Sequence, residues 1–302
     1  MTDERRHTDE IEDRFQTLAD ETRIRILNVL ANAAGSGETP ISYSTLQSRV
    51  GIRDNGRLNY HLSELAPEFI AQSDAGYALS PAGWFAHLVA ISQGSRAEPV
   101  QIDVRADCHY CGENLTAVYG RNQSFVVCCP SCDRVHLRLD VPFVRSDIAD
   151  PSDFLDSMTD TAQERFSSLS RGLCSWCRSP VDTRAETTAT RDEDENLPRP
   201  HLDFQFHHRC TSCAAEVHTT PGELLLSRPE IRAAHRRNGT PLTERYVWEV
   251  DFAVTNRFVE VRSRDPWEIV LDMPVGGMDI ECVFDSRGNV ASLTKHSHFS
   301  GV

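Results

Sequence analysis

The 302-residue chain has almost no lysine: Lys295 is the single one among 31 basic residues, and the rest are arginine. Set against 45 acidic residues, this leaves a formal net charge of -14. Such a composition fits a solvated surface in a high-salt cytoplasm. No run of five or more like charges occurs, which argues against an acidic interaction tail. Long apolar runs are also missing. Nothing approaches the roughly 18 consecutive apolar residues of a membrane span, and a mean hydropathy of -0.41 points to a soluble globular chain. The first residues, Met1-Thr2-Asp3-Glu4-Arg5-Arg6, are charged where a secretion signal would be apolar, so the expected location is the cytoplasm, with no membrane partner. The usual catalytic signatures are absent as well. There is no phosphate-binding glycine loop, G-x-S-x-G elbow, H-E-x-x-H or H-x-E pattern, and no enzyme is expected.

What the chain does have is cysteine in pairs. Eight of its ten cysteines form four C-x-x-C pairs: Cys108/Cys111, Cys129/Cys132, Cys174/Cys177 and Cys210/Cys213. Structural disulfides are not expected in a reducing cytoplasm, and two such pairs supply the four thiolates of a tetrahedral zinc site. The first two pairs are separated by a ribbon-like spacing and the last two by a longer loop. That longer loop is the polar stretch Arg184 to Pro200, which includes Arg191-Asp192-Glu193-Asp194-Glu195 and reads as a flexible, solvated insertion. Two structural zinc ions are therefore expected, held by these eight cysteines. Cys129 is preferred to its neighbour Cys128, because Cys129-Pro130-Ser131-Cys132 makes the cleaner knuckle. His136 and His218 follow the second knuckles and could replace a cysteine, but four thiolates already saturate an ion. Cys282 reads as a buried strand residue, and His296-Ser297-His298 as exposed tail.

The first hundred residues carry a helical period. Thr8 or Asp9 can cap a helix with Ile11, Phe15 and Leu18 on one face. Asp20 opens a second helix bearing Ile24, Leu27 and Ala31, with Ile26 and Leu30 beside them. Ser42 caps a third with Tyr43, Leu46 and Val50, closed by Gly51. A short turn, Ile52-Arg53-Asp54, leads to a fourth with Leu58, Leu62 and Leu65. Phe69 to Leu79 reads as a hairpin turning at Asp74-Ala75-Gly76, and Ser80-Pro81 opens a last helix reaching about Gln93. This is the order of a winged helix-turn-helix domain. From Gln47 to Ser63 there are three arginines and one acid, a local basic patch in an acidic chain. The expected duplex-DNA contacts are Gln47, Arg49, Arg53, Arg57, Asn59, Tyr60, His61, Ser63 and, at the hairpin turn, Gly76.

Three segments in this region resemble ArsR-type winged-helix transcriptional regulators. They are Leu18-Ala19-Asp20-Glu21-Thr22-Arg23-Ile24-Arg25-Ile26-Leu27, Leu58-Asn59-Tyr60-His61-Leu62-Ser63-Glu64-Leu65 and Gly76-Tyr77-Ala78-Leu79-Ser80-Pro81-Ala82-Gly83. The resemblance covers about residues 9–93. It implies DNA binding by the fourth helix and the wing, and a homodimer formed through the first and last helices, with Phe15, Trp84, Leu88 and Ile91 as candidates. The helix from Ser42 to Val50 lacks the Cys-x-Cys sensor of metal-sensing members, so metal sensing there is not supported. The whole layout also resembles multidomain regulators of halophilic archaea.

Beyond the plausible boundary at Ser95 to Pro99, Val100–Val104, Phe125–Cys128 and Val135–Val141 are short β-rich runs. Asp150-Pro151-Ser152 starts a helix with Phe154, Leu155, Met158, Ala162, Phe166 and Leu169 on one face. Pro221 to Arg237 reads as helical, broken at Pro229. Tyr246–Val254, Phe258–Val261, Trp267–Leu271, Met278–Phe284 and Val290–Leu293 read as an antiparallel meander, with a hairpin turn at Asp285–Asn289. The expected class is α+β. A winged helix-turn-helix domain (1–95) precedes a first zinc-ribbon-like unit (96–145), a linking helix (146–172), a second such unit (173–220), and a helix plus antiparallel β meander (221–302). The expected function is sequence-specific transcription regulation, with a small-molecule or protein effector possible at the C-terminal region. The alternatives are a zinc- or redox-responsive switch and a ribbon adaptor that works through protein contacts.

Overall fold

In a computed structural model, residues 12–91, 99–120, 123–141, 150–187 and 199–297 are described. The expected caps Thr8 and Asp9, the boundary residues Ser95 to Glu98, the acidic stretch Arg191 to Glu195, and His298 lie outside them. The chain divides into two compact units, Met1–Gln93 with Phe143–Arg145, and Gly94–Pro142 with Ser146–Val302. Helices dominate the first and antiparallel sheets the second.

In the first unit, helix α1 runs over residues 12–18. It is followed by α2 (Glu21–Gly35), α3 (Tyr43–Val50), α4 (Asn55–Leu65), a hairpin of β1 (Ile70–Ser73) and β2 (Gly76–Leu79), and α5 (Pro81–Ile91). The helix starts follow local chemistry. Asp20, Ser42 and Asp54 accept the amides of Arg23, Thr45 and Arg57, and Ser80 Oγ accepts Gly83 N at 3.0 Å. Gly51 closes α3 in the left-handed conformation. The core gathers Ile26, Leu30, Leu46, Leu58, Leu65 and Ile70. Ile24, expected on the inner stripe of α2, is instead exposed. Ile26 and Leu30 take the core side of α2, which turns Ile24 outward.

The second unit opens with a four-stranded antiparallel sheet, β3 (Val100–Asp107), β4 (Asn114–Tyr119), β5 (Ser124–Cys128) and β6 (Val135–Asp140). Strand β4 was not singled out in the sequence; Leu115, Ala117 and Tyr119 alternate inward along it. Helix α6 (Pro151–Leu169) follows, capped by Asp150, and buries all six apolar residues expected on its inner face. A three-stranded sheet comprises β7 (Val181–Thr187), β8 (Phe204–Cys210) and β9 (Glu216–Thr219). Then come α7 (Pro221–Leu225), α8 (Pro229–Arg237), α9 (Asp251–Val254) and a four-stranded meander of β10 (Val259–Arg264), β11 (Trp267–Val275), β12 (Met278–Phe284) and β13 (Val290–Ser297).

Two expectations are corrected here. Tyr246–Val254 is not a strand: Val247–Glu249 is a 3-10 turn, and α9 follows it. Glu249 reaches back to the Tyr246 amide at 3.0 Å and winds the chain, while Val247, Trp248, Val250, Phe252 and Ala253 are all buried, so burial does not alternate. The stretch Arg184–Pro200 is not a solvated insertion at its ends. Arg184–Thr187 belongs to β7, and Arg199 is 2% exposed, held by a bidentate ion pair to Glu223 at 2.7 and 2.8 Å.

Candidate metal centres

The eight paired cysteines assemble into two separate quartets, Cys108/Cys111/Cys129/Cys132 and Cys174/Cys177/Cys210/Cys213. The first quartet sits where β3 turns to β4 and β5 to β6; the second sits ahead of β7 and where β8 turns to β9. The chain turns after each second cysteine through a residue with positive φ: Gly112, Asp133, Arg178 and Ala214. In each knuckle the first cysteine's amide donates to the carbonyl five residues on, at 2.8–2.9 Å. Amides also point at sulfur. Tyr110 N, Trp176 N and Ser212 N lie 3.4 Å from Cys108, Cys174 and Cys210 Sγ.

The quartets share one geometry. Sulfurs of the first and fourth cysteines are 3.7 Å apart in both, and those of the second and third are 3.4 Å apart in both. Thiolates at about 2.3 Å from one ion would stand about 3.8 Å from each other, so these separations suit a shared tetrahedral ion. They are far too long for S–S bonds, which measure about 2.05 Å. Thiol acidity follows the local dipoles. Ser179, through its side chain and then its amide, holds Cys177 at about 6. Burial opposes ionisation of Cys129, but the Cys132 and Ser131 amides bring it to about 7. Burial and neighbouring thiols push Cys132 up to about 12. Sites of this kind release protons when they load metal.

Neither histidine considered as a replacement ligand enters a quartet. His136 is buried with Nε2 3.3 Å from Cys108 Sγ, beside the cage. His218 lies on β9 against His207 and Glu186, a grouping the sequence reading missed because its members come from three strands. Cys128 stays on β5, where burial raises its pKa, and Cys282 is buried on β12 and pushed up to about 12. His296, on β13, is exposed.

Arg199 was also missed. Its guanidinium holds the Glu223 carboxylate and reaches His136 O at 3.3 Å and His218 O at 3.4 Å, joining β6, β9 and α7. Burial pushes the Glu223 carboxyl upward, and the Arg199 charge pulls it back.

The candidate nucleic-acid residues fare unevenly. Arg53, Arg57, Asn59, Tyr60 and Ser63 are exposed, the last four on α4. Gln47 Nε2 donates to Asn55 Oδ1 at 2.6 Å, and Arg49 is paired with Glu38. His61 is 5% exposed, with Nδ1 3.6 Å from Asp20 Oδ1, and so faces the core side of α4 instead of a base edge. Gly76 is buried at φ +129, where a Cβ would meet Ile41 O at 2.1 Å. It serves the close approach of two backbones, not a phosphate contact.

Residues 105–290, more than half of the chain, match the family described as Domain of unknown function (DUF7351). The chain belongs to the DUF7351 family. Its matched range encloses both cysteine quartets, Glu186, Arg199 and Glu223. Residues 11–89 match a second family, Domain of unknown function (DUF7347), over the helices and hairpin of the first unit. No curated protein and no solved structure matches the chain. No described helix is long and apolar enough to cross a membrane.

Proposed function

We propose that this chain is a dimeric, sequence-specific DNA-binding transcriptional regulator, of the ArsR-like winged-helix type, with two structural zinc ions in its cysteine quartets. The observation that carries the reading is α4. It buries Leu58, Leu62 and Leu65 and turns Arg57, Asn59, Tyr60 and Ser63 outward on a helix preceded by α3 and followed by a hairpin. Arg57 can take a guanine edge or a phosphate, and Asn59 an adenine edge. Arg53 lies just ahead of α4, and the exposed tip of the hairpin, Asp74-Ala75, would run near flanking backbone.

The dimer reading is supported by an apolar groove of about 690 Å³ among α1, α2 and α5, lined by Phe15, Ile24, Phe85, Val89 and Ile91. Phe15 is 70% exposed and Phe85 65%. Large exposed apolar patches mark interfaces. A second copy laid on this face would bury them.

Selection of duplexes from a randomised library at high potassium chloride tests the reading, since low salt flatters nonspecific phosphate binding. The expected result is enrichment of a two-fold symmetric site. Zinc-loaded, folded protein that enriches nothing would remove the regulator reading. One observation favours a zinc- or redox-responsive variant of it: Cys111, Cys177 and Cys213 are exposed. In that case mild oxidation would lower DNA affinity reversibly.

A further inference from the structure

A second type of metal-ligating cluster lies on the β7–β8–β9 sheet. Arg184 pairs directly with His207, and His207 with His218, across the three strands. Glu186 stands two residues from Arg184 on the same face of β7, because side chains alternate along a strand. One ligand atom from each of Glu186, His207 and His218 lies within 4.8 Å of the others. Glu186 Oε1 is 3.2 Å from His207 Nδ1, and Glu186 Oε2 is 3.8 Å from His218 Nε2. Nitrogen and oxygen ligands at about 2.1 Å from one ion stand about 3.4 Å apart in a tetrahedral site, so the separations fit, but the His207 and His218 rings, stacked at 4°, must turn toward each other for both nitrogens to face one ion.

The surroundings point the same way. Glu186 and His207 are buried at 7% and 2% exposure. Glu186 Oε2 is buried without a hydrogen-bond partner, an arrangement that is costly for a carboxylate oxygen unless a cation satisfies it. On the opposite face of β8, His208 is fixed between Thr183 Oγ1 and Thr219 Oγ1, each at 2.9 Å, which pins the backbone beside His207.

We propose that Glu186, His207 and His218 form a third metal site, for a divalent transition-metal cation, with Arg184 as its built-in competitor. The Arg184 guanidinium donates to His207 Nδ1 from Nε at 3.1 Å and from Nη2 at 2.9 Å, and lies 3.0 Å from Glu186 Oε1. It is the cation of the metal-free site. Its side chain is 65% exposed, so it can swing into solvent when an ion takes its place. Two imidazoles and one carboxylate suit zinc, iron(II) and their neighbours, and three protein ligands leave at least one position open. His218 also lines a cavity of about 70 Å³ with Arg138, Arg165 and Trp176, which is room enough for a water ligand. This site differs from the cysteine cages in kind: they are closed, and this one exchanges. The proposal does not rest on the DNA-binding reading.

The test uses the full chain with both quartets loaded with zinc, titrated with cobalt(II) and followed by absorption and calorimetry. Cobalt held by nitrogen and oxygen lacks the thiolate charge-transfer band that a cysteine cage would give. The expected result is one equivalent of cobalt bound without that band. Glu186→Gln should weaken it at least tenfold, and Arg184→Ala should tighten it by roughly ten- to a hundredfold, the range seen when an outer-sphere partner changes. Retention of both zinc ions shows that each variant is folded. Absence of a third equivalent in both the parent and Arg184→Ala would overturn the site. A third equivalent untouched by Glu186→Gln would overturn it too, because the ion would then be bound elsewhere.

Discussion

His208 shows how much one buried side chain can do. Burial first, then the charges of His207 and His218, hold it at about 3, against an ordinary value of 6.5. The folded chain keeps it neutral, while the unfolded chain takes up a proton below 6.5. Its contribution is therefore intact above pH 6.5 and is lost as pH falls toward 3, at about 1.4 kcal/mol per pH unit. Urea midpoints measured from pH 7 to pH 5 should fall accordingly, and His208→Gln should flatten the dependence by about one proton. Arg199→Met should cost about 3–5 kcal/mol, because it leaves the fully buried Glu223 carboxyl without its partner; thermal melts of the metal-loaded protein would measure it. Arg57→Ala should lower affinity for a selected site by about 1–3 kcal/mol with an unchanged melting temperature. A variant that binds every site normally would sink the assignment of α4. At this scale the sequence disclosed what repeats locally. The eight paired cysteines announce themselves by spacing. Arg199 does not, because its partners lie 24, 63 and 19 residues away, at Glu223, His136 and His218, and its polar neighbours in the sequence suggested solvent.

Elements were legible where caps and periods agreed. Asp20, Ser42 and Ser80 begin helices because each offers an oxygen to an otherwise unpaired amide. The six apolar positions of α6 fall on one face for the same kind of reason, a regular period. The segment after α8 reads as a strand because Tyr246–Phe252 alternates in composition, whereas the folded unit buries its consecutive residues Val247 and Trp248 together. Tertiary packing overrode the two-residue period there. Strand β4 is hard to read from sequence because its six residues carry a weak signal between two knuckles. The hairpin yields a prediction at this scale. Gly76→Ala would drive a methyl into Ile41 O in a backbone conformation that L-residues avoid. It should destabilise the first unit by more than 1 kcal/mol and leave the metal content of the two quartets unchanged; far-ultraviolet dichroism with metal analysis separates the two effects.

For the whole molecule, chain-wide charge and core location have different consequences. A net charge of -14 makes self-repulsion large at low ionic strength, so melting temperature should rise with potassium chloride. Chelation should act on one unit only. Structural zinc contributes about 10–16 kcal/mol of apparent binding energy per site in small domains. Its removal should therefore collapse the sheets around the quartets while the helices of the first unit persist, which residue-resolved hydrogen exchange would show. If the proposed dimer forms on the exposed face of the first unit, Phe85→Glu should shift sedimentation toward monomer. The Arg199 clamp carries a last consequence. Because one guanidinium grips the strand that follows each second knuckle, emptying one cage slackens the seat of the other. Metal loss should therefore be concerted, with intermediate one-zinc species scarce in native mass spectra, and Arg199→Met should let the two ions leave independently.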